Sequence, residues 1–217
     1  MDADPSALII IYHICVIILP NKQISNLLKK GNFIMLFKGG MLTGEHIKKE
    51  VNKGNIRISH FDEKRLNPNS YNVRLHPDMY VYTEFPLRMD KLNKYESIRI
   101  GSNGYLLEPG KLYIGRTVEE TATKKYIPMI DGRSSGGRLG ISVHVCAGFG
   151  DIGFDGTWTL EITVVHPLII LPYSEIAQVS FYTPYGKIGD RLYNGKYQYQ
   201  KDADTSKFYK DYVKYDD

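Results

Sequence analysis

The chain is poor in cysteine. Among its 217 residues only Cys15 and Cys146 carry a thiol, too few for a disulfide framework or a cysteine-rich metal site. It has no C-x-x-C pair, and none of its six histidines is followed by x-E. Zinc signatures that join a histidine–glutamate pair to a distant cysteine pair are therefore missing, and no zinc is expected. A Walker A sequence is also missing. The apolar run Ala7–Leu19 is shorter than the roughly 20 residues of a membrane span. Asp2 and Asp4 stand where a secretory signal would carry basic residues. No membrane partner is expected, and the expected location is the cytoplasm. A net charge of +4 is mild. It calls for no nucleic acid and would not repel a small polyanion.

What is present leans towards β-structure. Seventeen tyrosines, 20 glycines and several β-branched runs suggest an all-β fold. Thr43 is placed to cap a short helix through Lys53, with Ile47 and Val51 one turn apart and Gly54 as its stop. Strand patterns follow at Tyr71–Tyr82, Ser97–Ile100, Leu168–Leu171 and Ile176–Tyr182. Tyr105–Leu107 and Leu112–Arg116 read as a hairpin about Pro109 and Gly110. After Tyr185 the chain turns polar and tyrosine-rich, typical of a mobile tail.

The stretch from Asp131 to Glu161 is the densest in chemistry. Arg133, Ser134, Ser135, Arg138, His144, Asp151 and Glu161 lie there among closely spaced glycines, including Gly136 and Gly137. Guanidinium and hydroxyl groups beside glycine amides suit a polyanion. The runs Ile141–Val145 and Thr157–Val165 flank a glycine-rich turn. In the second, Trp158, Leu160, Ile162 and Val164 share one face, and Thr157, Thr159, Glu161 and Thr163 share the other. A lone carboxylate on such a face is more often solvated than catalytic. Gly148, Gly150 and Gly153 match the dinucleotide fingerprint, but a period-two, β-branched segment follows where that motif needs a helix.

These residues resemble a family. GRSSGGRLG (132–140), HVCAGFGDIGF (144–154) and WTLE (158–161) are similar to the core of the dCTP deaminases, a branch of the trimeric dUTPase superfamily. NPNSYNVRL (67–75), PGKLYIGRT (109–117), IAQVSF (176–181) and GKYQYQ (195–200) resemble further family motifs, in family order, between about Met41 and Lys210. MLTGEHIKKE resembles the family's usual beginning. Met41 is thus the expected functional start, with residues 1–40 a peripheral extension, 41–184 the β domain and 185–217 a nucleotide-closing tail.

The resemblance implies a distorted jelly-roll or β-barrel of the dUTPase type, assembled as a homotrimer with sites between subunits. It implies zinc-independent deamination of dCTP to dUTP and ammonia, with Mg2+ carried by the triphosphate and dTTP as a feedback inhibitor. Glu161 would be the acid/base, Arg138 would orient it and the water, and Ser134 would help hold that water. Arg133, Ser134, Ser135, Gly136 and Gly137 would meet the phosphates, with Lys196 and Gln200 closing over them. Thr159 and Leu160, just before Glu161, join it in the nucleotide-binding set. Asp151 would contact the deoxyribose beside Phe154, which would block a ribose 2′-hydroxyl. Gln178 and Tyr193, or Tyr185 in its place, complete the set. Taken alone, Gln178 would satisfy backbone groups, Lys196 would be a solvated tail charge and His144 a structural strand residue. The sequence departs from the family pattern at Asn72, often Asp, at Gly136, usually Leu, and at Cys146, commonly Thr. Three alternatives stand beside the leading reading: a bifunctional enzyme that carries dCTP through to dUMP and pyrophosphate, a pure dUTPase, and a non-catalytic nucleotide-binding or regulatory protein on the same scaffold, against which the intact Glu161 and Arg138 argue.

Overall fold

The computed structural model describes residues 40–212. The apolar run Ala7–Leu19 and nearly all of the expected extension lie outside them. These described residues hold twelve strands: β1 (Gly40–Met41), β2 (Arg57–Ile58), β3 (Tyr71–Arg74), β4 (Asp78–Tyr82), β5 (Tyr95–Arg99), β6 (Tyr105–Leu107), β7 (Tyr113–Ala122), β8 (Ile127–Gly132), β9 (Ile141–Ser142), β10 (Asp155–Val164), β11 (Leu168–Ile170) and β12 (Glu175–Thr183). Among the same residues are two α-helices, α1 (Gly44–Asn52) and α2 (Ser134–Arg138), and two 3-10 turns.

The expected all-β barrel needs correction. The strands form sheets of six, four and two, and none closes on itself. The six-stranded sheet runs β5-β4-β7-β10-β9, with β2 also on β7. It ends at β5 on one edge and at the two-residue β9 on the other, so its outer strands do not meet. In the second sheet β12 pairs with β1, β3 and β8, and the third is β6 with β11. The result is a mixed, mostly antiparallel arrangement with short helices, jelly-roll-like rather than a barrel. The expected hairpin between β6 and β7 is also absent, because β6 pairs with β11 while β7 pairs with β10, β4 and β2. Gly110 supplies the positive φ of the turn between them, but the turn sends the two strands to different sheets.

Alternation explains the core. Trp158, Leu160, Ile162 and Val164 of β10 are buried, as are Val73, Leu75 and Met79 of the β3–β4 segment. Each such side chain contributes about 1.5–3 kcal/mol on leaving water. Helix α1 begins where Thr43 Oγ1 accepts from the His46 N–H at 3.3 Å. It buries Ile47 against the same core and ends before Gly54, which has φ +73°.

One irregularity shapes the site. The β7–β10 register jumps between Thr157 opposite Glu120 and Thr159 opposite Arg116. Thr117–Glu119 of β7 thus bulge against Trp158 alone. Thr117 Oγ1 accepts from the Trp158 N–H at 2.9 Å, and the indole N–H donates to Thr121 Oγ1 at 2.8 Å. The bulge turns Glu119 into the interior, where its carboxylate is fully buried.

Candidate active site

Strand β10 supplies one wall of a cavity of about 460 Å³. Thr159 and Glu161 enter it from the polar face of that strand, and Ala147, Asp151 and Phe154 from the preceding loop. Gly150 lets that loop approach β8: its N–H donates to the Pro128 carbonyl at 2.9 Å, and a Cβ there would fall 2.4 Å from the Trp158 ring. The glycines that mimic a dinucleotide fingerprint therefore serve close loop packing, and strand β10 follows them.

Glu161 is held at both ends. Its N–H donates to the Val143 carbonyl and its Oε2 accepts from the Val145 N–H, each at 2.9 Å. His144 lies beside it on the cavity wall, in the loop beyond β9 rather than within a strand. Its Nε2 is buried with no hydrogen-bond partner. Burial pushes the His144 imidazole below its ordinary value, against smaller upward pulls from Glu161 and Asp131. The ring is therefore neutral at neutral pH.

The tail folds back over β10. Gln200 Nε2 donates to the Thr157 carbonyl at 2.6 Å and to Thr159 Oγ1 at 3.1 Å. Its Oε1, like His144 Nε2, is buried without a partner. Tyr193 lines the cavity and meets the Phe154 ring edge-on, with centroids 6.0 Å apart. Its N–H donates to the Ile152 carbonyl, a close approach that Gly153, at φ +99°, makes room for. Tyr185, the other candidate for that place, is fully exposed and lines no part of the cavity.

The cavity thus gathers Asp151, Thr159, Glu161, Tyr193 and Gln200. Other expected site residues lie elsewhere in this chain. The Leu160 side chain points into the core with no exposure. Ser134, Ser135, Gly136, Gly137 and Arg138 form α2 outside the cavity, and Arg138 Nη1 donates to the Ser134 carbonyl at 3.2 Å. Arg133 precedes that helix and pairs with Glu175. Gln178 accepts from Ser70 Oγ at 2.7 Å and donates to the Gly132 carbonyl at 3.1 Å. Lys196 pairs with Asp211, its ammonium 5.8 Å from the ring centroids of Tyr197 and Phe208. Asp204 and Ser206, which also line the cavity, carry no local pattern that would single them out in a polar tail.

Among the described residues no group of three or more His, Cys, Asp or Glu gathers as metal ligands. None of their helices is long and apolar enough to cross a membrane.

The family model described as dCTP deaminase-like matches residues 41–183. A protein of Leptospira biflexa named "dCTP deaminase, dUMP-forming" is 51% identical over 174 residues, covering 80% of this chain and 99% of its own. A Clostridium beijerinckii protein of the same name is 50% identical over the same lengths. The crystal structure of 2′-deoxycytidine 5′-triphosphate deaminase from Agrobacterium tumefaciens shares the fold, with a TM-score of 0.55 at 20% identity. That match covers 68% of this chain and 49% of the other. The relatives' shared name overturns the expectation that the reaction stops at dUTP, because they are named for dUMP. The ordered motifs, the family model across most of the described residues and half-identical relatives of nearly full length establish that the chain belongs to the dCTP deaminase-like family.

Proposed function

We propose that the protein converts dCTP to dUMP, ammonia and pyrophosphate. The observation that carries this is Glu161, a carboxylate fixed by the Val145 N–H in the wall of a nucleotide-sized cavity, in a chain half identical to dUMP-forming relatives. Water attacks C4 of the cytosine. Glu161 takes its proton and passes it to the departing ammonia, so one carboxylate serves as base and then as acid. A second water then cleaves the α–β phosphate link, releasing pyrophosphate and leaving dUMP. Mg2+ would be held by the nucleotide's own triphosphate rather than by a protein cage, and when bound would supply positive charge to offset that of the phosphates.

Residues 41–184 form the catalytic domain in this reading, and 185–217 the closing tail. Asp151 holds the deoxyribose, with Phe154 excluding a 2′-hydroxyl. Arg133, Ser134, Ser135 and the amides of Gly136 and Gly137 receive the phosphates, while Lys196, Tyr193 and Gln200 close over the nucleotide. Arg138, Ser134 and Gln178 come to the cavity from a neighbouring copy in a homotrimer. Two observations support that assembly. Helix α2 lies outside the cavity that carries Glu161, and the apolar Leu139, Val145, Phe149 and Val165 around these segments are exposed.

Incubation with dCTP and Mg2+, with products resolved over time, tests the proposal. Ammonia, dUMP and pyrophosphate should appear in equal amounts without accumulation of free dUTP. Release of dUTP as the end product, or of no ammonia at all, would contradict it.

A further inference from the structure

Strand β12 grips the residues before α2 at three points. The Arg133 N–H donates to the Ile176 carbonyl at 3.4 Å, and the Gln178 amide donates to the Gly132 carbonyl. The third point is ionic. Arg133 Nη1 donates both to the Glu175 carbonyl at 2.9 Å and to Glu175 Oε2 at 3.1 Å.

Glu175 is itself held. Asn72 Nδ2 donates to the same Oε2 at 2.9 Å, and Arg65 Nε lies 3.6 Å from Oε1. Arg65 also lies 3.5 Å from Oε1 of the buried Glu119. That carboxylate accepts from the Arg74 N–H at 2.8 Å and from Arg74 Nε at 2.7 Å. Charge therefore alternates from the loop to the β7 bulge through Arg133, Glu175, Arg65, Glu119 and Arg74.

We propose that Glu175, fixed by Asn72 and Arg65, is a positioning residue that holds the Arg133 guanidinium ready for the triphosphate. The inference rests on the reading of Arg133 as a phosphate contact. A free arginine loses rotamer freedom when it closes on an anion, and a guanidinium already held loses less. The amide at Asn72 belongs to the same device. A carboxylate there would stand about 3 Å from that of Glu175 and repel it, whereas the amide donates to it. Asn72 and Glu175 thus form one donor–acceptor pair between β3 and β12.

Steady-state release of ammonia from dCTP tests this in the full chain for wild type, Glu175→Gln, Asn72→Asp and the double variant. Each single change should raise KM about fivefold, the scale of a half-exposed ion pair, with kcat within about twofold. The double variant moves the acid across the pair, and its KM should return to within about twofold of wild type. A purely structural role would lower the melting midpoint and the active fraction without moving KM. Unchanged KM in both single variants, or a double variant whose KM rises by the product of the two, would overturn the proposal. Wild type active on dCTP with unmoved variants sinks this inference alone, whereas wild type that releases no ammonia sinks the functional reading and this inference with it.

Discussion

Phe154 stands between two aromatic neighbours, tilted on Trp158 at 5.1 Å and edge-on to Tyr193 at 6.0 Å. Fixed in this way, it forms a rigid part of the cavity wall beside Asp151. If it excludes a 2′-hydroxyl, Phe154→Leu should narrow the preference for dCTP over CTP by about tenfold in kcat/KM. An unchanged ratio would remove Phe154 from sugar selection. His144 makes a different prediction. Its imidazole titrates below the ordinary 6.5 in the folded chain, so the unfolded chain takes up the proton first. The stability this gives is present above about pH 6.5 and drains away as pH falls below that. His144→Asn should therefore flatten the decline of stability as pH falls below about 6.5, read by urea unfolding at stepped pH.

At the scale of elements, α1 is tied to the β7–β8 turn through Glu50. Its buried carboxylate accepts from Lys125, Tyr126 and Asn55 at 2.7–2.8 Å and from Lys53 at 3.1 Å. Burial alone would push it up, but those four donors outweigh burial and hold it well below its ordinary 4.5. Its contribution is present above that value and is lost as pH falls below it. Glu50→Ala should lower stability at neutral pH by about 1–3 kcal/mol, leaving the buried Tyr126 hydroxyl and the half-buried Asn55 amide unpaired. The loss should shrink in acid, and a pH-independent loss in thermal melts would contradict the charge argument.

Elements also mark where the sequence could be read and where it could not. The β10 alternation and the Thr43 cap are local patterns, and both were legible. The partner of β6 was not, because pairing with β11 is long-range and leaves no mark on either strand. Strand β8 carries Pro128 and little alternation, and it forms because β12 lies beside it. Helix α2 contains two glycines, which disfavour helix, and so it reads as a loop. It is closed by the Gly137 N–H on the Arg133 carbonyl at 3.0 Å. Within the site, family motifs singled out Glu161, Asp151 and Gln200. They could not separate residues that share this cavity from those, like Arg138, that lie outside it.

That separation sets the question for the whole molecule. If each site takes Glu161 from one copy and Arg138 from the next, two inactive variants should complement each other. Glu161→Gln and Arg138→Ala, unfolded together and refolded as mixed trimers, should regain about a quarter of wild-type activity under random mixing. No recovery in confirmed mixed trimers would place both groups on one copy. The tail belongs to the same scale, because residues beyond Gln198 are tied to β10 and β4 through Tyr199, Gln200 and Ser206.

The proton transfer proposed for Glu161 is reached directly by one measurement: ammonia release and dCTP binding measured side by side for Glu161→Gln. The expected result is nucleotide affinity within a few-fold of wild type with ammonia release reduced about a thousandfold. Turnover close to wild type in that variant would contradict the central claim.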